Sequence, residues 1–213
     1  MFANRADAGR KLAAALKKYG EVDVLVLAIP RGGVEVGYQI AKHLNGEFSI
    51  VVSRKLPYPM DPEAGFGAIT EDGSTFMFAG AAELLGSSTV DRIIREQQAE
   101  LKRRIQVLRG FKALPQIRGR TVILTDDGIA MGSTMRASIM LCKNKGAGRI
   151  VVASPVAGPE TARQIANLVD ETVILERPAF FRAVAQVYAE WYDVPDSEVV
   201  GIMQAWENQS TGR

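Results

Sequence analysis

Two β-branched runs constrain this chain more than any other feature. Each stops at a turn cluster, and each leads into residues of helical spacing. Val22 to Ile29 ends at Pro30-Arg31-Gly32-Gly33, residues 34–44 return to a helical period, and a second apolar run covers 48–53. Thr121 to Thr125 ends at Asp126-Asp127. A loop over 126–134 then leads to a helix over 135–145, a strand over 149–154, a helix over 159–168 and a strand over 172–175. Strand, turn, helix, strand is a βαβ unit, so the expected fold class is α/β with a central, mainly parallel sheet flanked by helices. A chain of 213 residues suits one domain, 1–213, and can bury a core without disulfide or metal staples.

The other segments follow the same reading. Residues 5–19 have the spacing of an amphipathic helix. Residues 54–90 are rich in Pro and Gly and read as a hairpin excursion, with short strands at 68–69 and 75–78 around the turn signal Asp72-Gly73. A helix is expected over 91–109. Residues 91–120 carry nine basic side chains against three acidic ones. They form either a solvated helix face or a positive wall for a highly anionic ligand. The segment 54–120 is therefore expected as a flexible hairpin and basic-helix insertion. Residues 178–207 have helical spacing with aromatic punctuation, and 176–213 are expected to form a helical C-terminal hood.

Composition removes several function classes. Basic residues exceed acidic ones by only two, so nucleic acid is not an expected partner. The one cysteine, Cys142, sits in an apolar helical run and reads as a buried thiol; it excludes a disulfide framework and a cysteine-based zinc site. The one histidine, His43, lies late in a helix and reads as a surface residue. No apolar run approaches the roughly 18 residues that cross a bilayer, so no membrane is expected. The expected compartment is the cytoplasm.

The chemistry concentrates in Val122 to Thr134. A strand ends, two carboxylates follow, and a small-residue loop opens a helix. A helix N-terminus offers unpaired N–H groups and partial positive charge, which suits a phosphate. Gly132 admits a close backbone approach, and Ser133 and Thr134 either donate hydroxyls to the same ligand or cap the helix. Carboxylates accept hydrogen bonds from vicinal sugar hydroxyls and favour Mg²⁺. At the carboxyl end of a strand these features together suit a phosphorylated sugar.

This stretch resembles the 13-residue signature with which type I phosphoribosyltransferases bind 5-phosphoribosyl 1-diphosphate (PRPP). Ile29 to Val34 resembles that family's pyrophosphate loop. Arg54-Lys55, Pro62-Glu63, Gly67-Ala68-Ile69, Gly119 to Val122 and the tail from Pro178 to Val199 are similar to one bacterial and archaeal branch of it. The resemblance implies roles residue by residue. Asp126 and Asp127 would hold the ribose hydroxyls and, directly or through water, Mg²⁺. Gly128 and Ile129 would lead into the phosphate cradle formed by Ala130, Met131, Gly132, Ser133 and Thr134. Arg31, Gly32 and Gly33 would hold the pyrophosphate, with Arg54 and Lys55 adding charge. Arg31, Asp126 and Asp127 would be the catalytic set.

The implied reaction displaces pyrophosphate from C1 of the ribose with a nitrogen nucleophile. A mobile loop over 56–90 or the basic helix would close the site. Ala130 stands where the 6-oxopurine members carry an aspartate, so a hypoxanthine or guanine mechanism is disfavoured. Met131 replaces a threonine found in many members, leaving only a backbone donor there. Glu63 and Glu71 are either a base near the acceptor or solvated acids. Phe180, Phe181, Tyr188, Trp191 and Tyr192 either stack on a nucleobase or belong to the core. The acceptor stays open, and relatives that pair make a homodimer one expected assembly. A second expectation is a non-catalytic module that senses PRPP or a nucleotide and uses the basic helix to contact nucleic acid.

Overall fold

A computed structural model describes residues 1–110 and 112–210 of the protein. Its centre is a five-stranded parallel sheet of β1 (Val24–Ala28), β2 (Glu47–Ile50), β6 (Thr121–Thr125), β7 (Arg149–Val156) and β8 (Glu171–Glu176), in the order β2-β1-β6-β7-β8. Around it lie α1 (Arg5–Ala15), α2 (Gly33–Leu44), α5 (Ser133–Asn144), α6 (Pro159–Ala166) and α7 (Asp196–Ser210). Alternate residues of β1 feed two separate cores. Val24, Val26 and Ala28 pack with Leu12, Leu16 and Ile40 on one face. Leu25 and Leu27 pack with Val122, Leu124, Ile139 and Ile165 on the other. Burial on both faces is why the strands read as unbroken apolar runs. The expected α/β class and its parallel, helix-flanked sheet are what the structure has.

The segment 54–90 holds more strand than the hairpin excursion expected. It builds a second sheet, antiparallel, of β3 (Ser53–Tyr58), β4 (Asp61–Thr70) and β5 (Thr75–Met77). The turn at Asp72-Gly73 does join a hairpin, with Ile69 opposite Thr75 and Ala68 opposite Phe76. The sequence reading missed β3 and most of β4 because Gly65 and Gly67 look like loop residues. Both serve close approach. A Cβ at Gly67 would stand 2.2 Å from the Phe76 carbonyl oxygen, and one at Gly65 would stand 2.3 Å from Lys55 Cγ. A short helix, α3 (Ala81–Leu85), leads into α4 (Ser87–Arg109), which ends at Gly110 in the left-handed region, φ 56°.

The helix expected over 178–207, within the hood expected over 176–213, is also corrected. Only α7 is an α-helix; before it stands a single 3-10 turn, Val184–Val187. Pro178 and Pro195 break any continuous helix, and the backbone of 187–190 bonds elsewhere. Phe2 N donates to Val187 O, Ala189 N to Phe2 O and Glu190 N to Ala3 O, at 2.7, 2.8 and 2.9 Å. The N-terminal residues thus claim hydrogen bonds that a helix would have used internally. The first helix stops at Ala15, and a 3-10 turn, Lys17–Tyr19, finishes the segment expected to be helical to residue 19. His43 is exposed, as expected. Among the described residues no helix is long and apolar enough to cross a membrane.

Cys142 is fully buried on α5, and burial pushes its thiol up to about 12. We expect no reaction with a thiol-specific disulfide reagent at pH 8 in the folded protein. One equivalent should react when guanidinium chloride unfolds the chain.

Candidate active site

Strand order brings the two glycine-containing loops together. β1 and β6 are neighbours with Ala28 opposite Thr125, and Ile29 N donates to Thr125 O at 2.9 Å. β2 lies on one side of β1 and β6 on the other, so the strand order reverses there, and open parallel sheets bind ligands at such a crevice. The loops leaving these two strands, 30–33 and 126–132, each open a helix of 12 residues, α2 and α5. Neither helix has a side-chain cap, so Ser133 and Thr134 do not serve as caps in α5. The N-cap of α5 is Gly132, at φ 75°.

A cavity of about 190 Å³ sits at this end of α5, lined by Asp126, Lys55 and the run 128–135. Its floor is pinned from below. Ile129 N donates to Val156 O at 2.8 Å, and the Thr161 hydroxyl donates to Ala130 O at 2.9 Å. A Cβ at Gly128 would stand 2.3 Å from Val184 Cγ1, so glycine lets the loop lie on the segment after β8. Ala130 and Met131 are exposed, Gly132 and Ser133 are buried, and Thr134 is half-buried. A second cavity of about 370 Å³ shares Lys55, Met131 and Ser133 and adds Tyr58 and Phe78 from the small sheet and its edge. Neither aromatic carries a sequence signal for this place.

The two aspartates have different surroundings. Asp126 Oδ1 accepts the Asp127 N–H at 2.8 Å. Burial, and next the Asp127 charge, hold the Asp126 carboxyl well above the usual carboxylate range. Asp127 Oδ2 accepts from Arg5 Nε at 2.8 Å, and Arg5 is buried. Arg5 Nη1 donates to Tyr192 O at 3.1 Å, and its guanidinium lies 4.0 Å from the centre of the Trp191 ring. The Tyr188 hydroxyl donates to Asp127 O at 2.6 Å. Arg5 is the residue the sequence reading missed. It sat in an ordinary helical pattern, and only the fold carries α1 across to the loop.

The pyrophosphate loop interlocks with the acid pair. A Cβ at Gly32 would stand 1.8 Å from Asp127 Oδ2, and one at Gly33 would stand 2.8 Å from Asp126 Cα. The Pro30–Arg31 peptide is cis. Arg31 is exposed, with Nη1 3.8 Å from Asp196 Oδ1, and Arg104 of α4 places Nη2 3.3 Å from the same oxygen. Arg54 Nε donates to Gln97 Oε1 at 3.1 Å. The aromatic tail divides: Tyr188 is buried, whereas Phe180, Trp191 and Tyr192 are exposed.

Glu71 is neither a base nor a solvated acid. Its carboxylate grips Arg109 through Nη2–Oε2 and through Nη1–Oε1 at 2.9 Å, and Oε1 also accepts the Val52 N–H. Both side chains are buried. The side chain of Glu63, the other candidate, lies outside the described residues. Two arginines of the basic helix are paired along its own surface, Arg92 with Glu96 and Arg103 with Glu100.

Mg²⁺ suits this donor set. The ion is held by one or two carboxylates together with water and substrate phosphates, and Asp126 is a carboxyl lining the cavity. Among the described residues no group of three or more His, Cys, Asp or Glu side chains could hold a metal by itself.

Known proteins bear on this arrangement. A family model described as the phosphoribosyl transferase domain matches residues 2–190. The chain is 37% identical over 205 residues to Rv0571c of Mycobacterium tuberculosis, which is provisionally named a phosphoribosyl transferase. The match covers 95% of this chain and 46% of that protein, so the chain spans about half the length of this relative. The crystal structure of TT1426 from Thermus thermophilus superposes with a TM-score of 0.82 at 35% identity, covering 96% of this chain and 98% of that one.

Two substitutions test the local geometry. Glu71→Ala strands a buried guanidinium and should cost about 3–5 kcal/mol in urea unfolding, whereas Glu96→Ala on the exposed face of α4 should leave stability unchanged. Gly32→Ala must displace the Asp127 carboxylate and should cost about 1–3 kcal/mol in the same assay.

Proposed function

This chain belongs to the phosphoribosyl transferase domain family, and from that membership we propose that it transfers the 5-phosphoribosyl group of PRPP to a nitrogenous base or amine. The acceptor nitrogen forms a bond to C1 of the ribose while the bond from C1 to pyrophosphate breaks. The bonding pair leaves with pyrophosphate, and the acceptor N–H proton is released. One observation supports this reading above the rest. Two uncapped helix N-termini and the Asp126 carboxyl meet at one end of the β1–β6 pair.

Each part has a physical task in that reaction. The N-terminus of α5, with the hydroxyls of Ser133 and Thr134, holds the 5-phosphate. Asp126 accepts hydrogen bonds from the ribose hydroxyls. The N-terminus of α2, with Arg31, Gly32 and Gly33, holds the diphosphate, and Arg54 and Arg104 add positive charge to that end, whereas Lys55 lines the α5 cradle and adds its charge at the 5-phosphate. Negative charge grows on the leaving group as positive charge grows on the ribose ring, so these cations act where charge develops. Mg²⁺, held by Asp126 together with substrate oxygens, would neutralise part of the leaving charge. A cation beside Asp126 also favours its ionised form against the burial that opposes it. Ala130 offers no carboxylate to the acceptor.

Calorimetry with PRPP and Mg²⁺ tests binding, and pyrophosphate release with a panel of purines, pyrimidines and small amines tests turnover. We expect saturable binding by the wild type and a loss of about tenfold or more in affinity for Asp126→Asn. A wild type that binds no PRPP would overturn the assignment. Tight PRPP binding without pyrophosphate release from any acceptor would replace transfer with ligand sensing.

A further inference from the structure

We propose that Asp196, in the first turn of α7, is a built-in competitor of the leaving group: it pairs with Arg31 and Arg104 and gives both up to diphosphate. This rests on the PRPP reading above and adds to it a residue that sets how tightly the diphosphate end is held.

The contacts carry the argument. Arg104 Nη2, from α4, donates to Asp196 Oδ1 at 3.3 Å, and Arg31 Nη1, from the loop after β1, stands 3.8 Å from the same oxygen. Two other acids nearby are already committed. Both oxygens of Glu100 accept from Arg103, at 2.9 and 2.7 Å, and Glu198 accepts from the Tyr192 hydroxyl at 2.8 Å. Arg54 brings a third guanidinium, whose Nε donates to the neutral Gln97. Arg54 and Arg31 both disfavour the charge on Arg104, so the three cations act on one another.

The surroundings favour exchange over a fixed bridge. The two helices are anchored, because Val199 and Met203 of α7 are buried in the same core as Leu101 and Leu108 of α4. The paired side chains are freer. Asp196 is 34% exposed and Arg31 is more open still, so water can receive either when the pair opens, and a partly exposed pair costs little to break. Asp196 also keeps a favourable place without the arginines, since its carboxylate stands at the positive end of α7. Diphosphate brings several negative charges where Asp196 brings one, and the N-terminus of α2 beside Arg31 adds its own N–H groups. The ligand therefore takes the arginines, and the pairing it breaks is subtracted from its affinity. After transfer the same carboxylate returns to them, which offsets part of the cost of releasing pyrophosphate.

Calorimetry with pyrophosphate and Mg²⁺, and separately with ribose 5-phosphate, reads the two ends of the site. The proteins are wild type, Asp196→Asn and a charge control, Glu96→Gln, which removes a carboxylate from the exposed face of α4. Asp196→Asn should bind pyrophosphate about fivefold tighter or more, and ribose 5-phosphate within about twofold of wild type. Glu96→Gln should leave both ligands within about twofold. A gain in affinity does not come from a damaged fold, and it is opposite in sign to the effect of losing a residue that only positions the arginines. Unchanged or weaker pyrophosphate binding by Asp196→Asn overturns the proposal. Equal tightening in Glu96→Gln, or toward ribose 5-phosphate, reduces the effect to overall charge and overturns it too. A wild type that binds ribose 5-phosphate but no pyrophosphate removes the diphosphate site, and the competitor with it, while the cradle stands. A wild type that binds no PRPP overturns the functional reading itself.

Discussion

Parallel pairing of β1 with β6 is the constraint on which the site depends. It sets Ala28 beside Thr125, so residues nearly a hundred positions apart leave the sheet side by side. The loop after β1 can then press Gly32 and Gly33 against Asp127 and Asp126, at distances no side chain would tolerate. Both strands are buried on both faces, and a one-residue slip would drive the side chains of each core into the other, where the packing does not fit them. The register that protects the core is therefore the register that builds the crevice. Stability and ligand geometry share one cause here.

Charge inside the crevice follows from burial. Two carboxyls on consecutive residues repel, and desolvation raises the cost of ionising either. The structure answers this asymmetrically. Arg5 compensates Asp127, while Asp126 carries the desolvation and the repulsion together. A half-buried carboxyl without a guanidinium of its own, at the lip of a cavity, is poorly placed for stability and well placed for a ligand that brings hydroxyl donors or a cation.

The motif was legible in the sequence because its parts are contiguous. A strand, two acids and a small-residue loop sit within 13 residues, and each has a local reason to be where it is. The parallel sheet was legible for a similar reason, since β-branched runs alternate with helical spacing. What stayed hidden depends on contacts distant in the chain. Gly65 and Gly67 read as loop residues because their value lies in Lys55 and Phe76 pressing close across strands. Residues 178–207 read as helical on their spacing; Pro178 and Pro195 are local signs against it, but nothing local reveals that Phe2 and Ala3 bond to the backbone of 187–190. Arg5 was invisible as a site residue because an arginine in an amphipathic helix is ordinary until the fold brings it to Asp127. Glu71 was weighed only as a base or a solvated acid because its buried partner, Arg109, lies 38 residues away.

The basic helix was the largest ambiguity, and its pairing narrows it. The exposed pairs Arg92–Glu96 and Arg103–Glu100 contribute little to stability, and their guanidiniums already have neighbours. Arg109 belongs to the interior. Arg104 is different. It is half-buried, and burial together with Arg54 and Arg31 disfavours its charge while Asp196 favours it. One carboxylate oxygen, Asp196 Oδ1, is thus approached by two guanidiniums, with a third acting on Arg104. Such a cluster is short of negative charge, and an arriving diphosphate would supply it. The wall suggested by composition reduces to the part of α4 nearest the loop after β1.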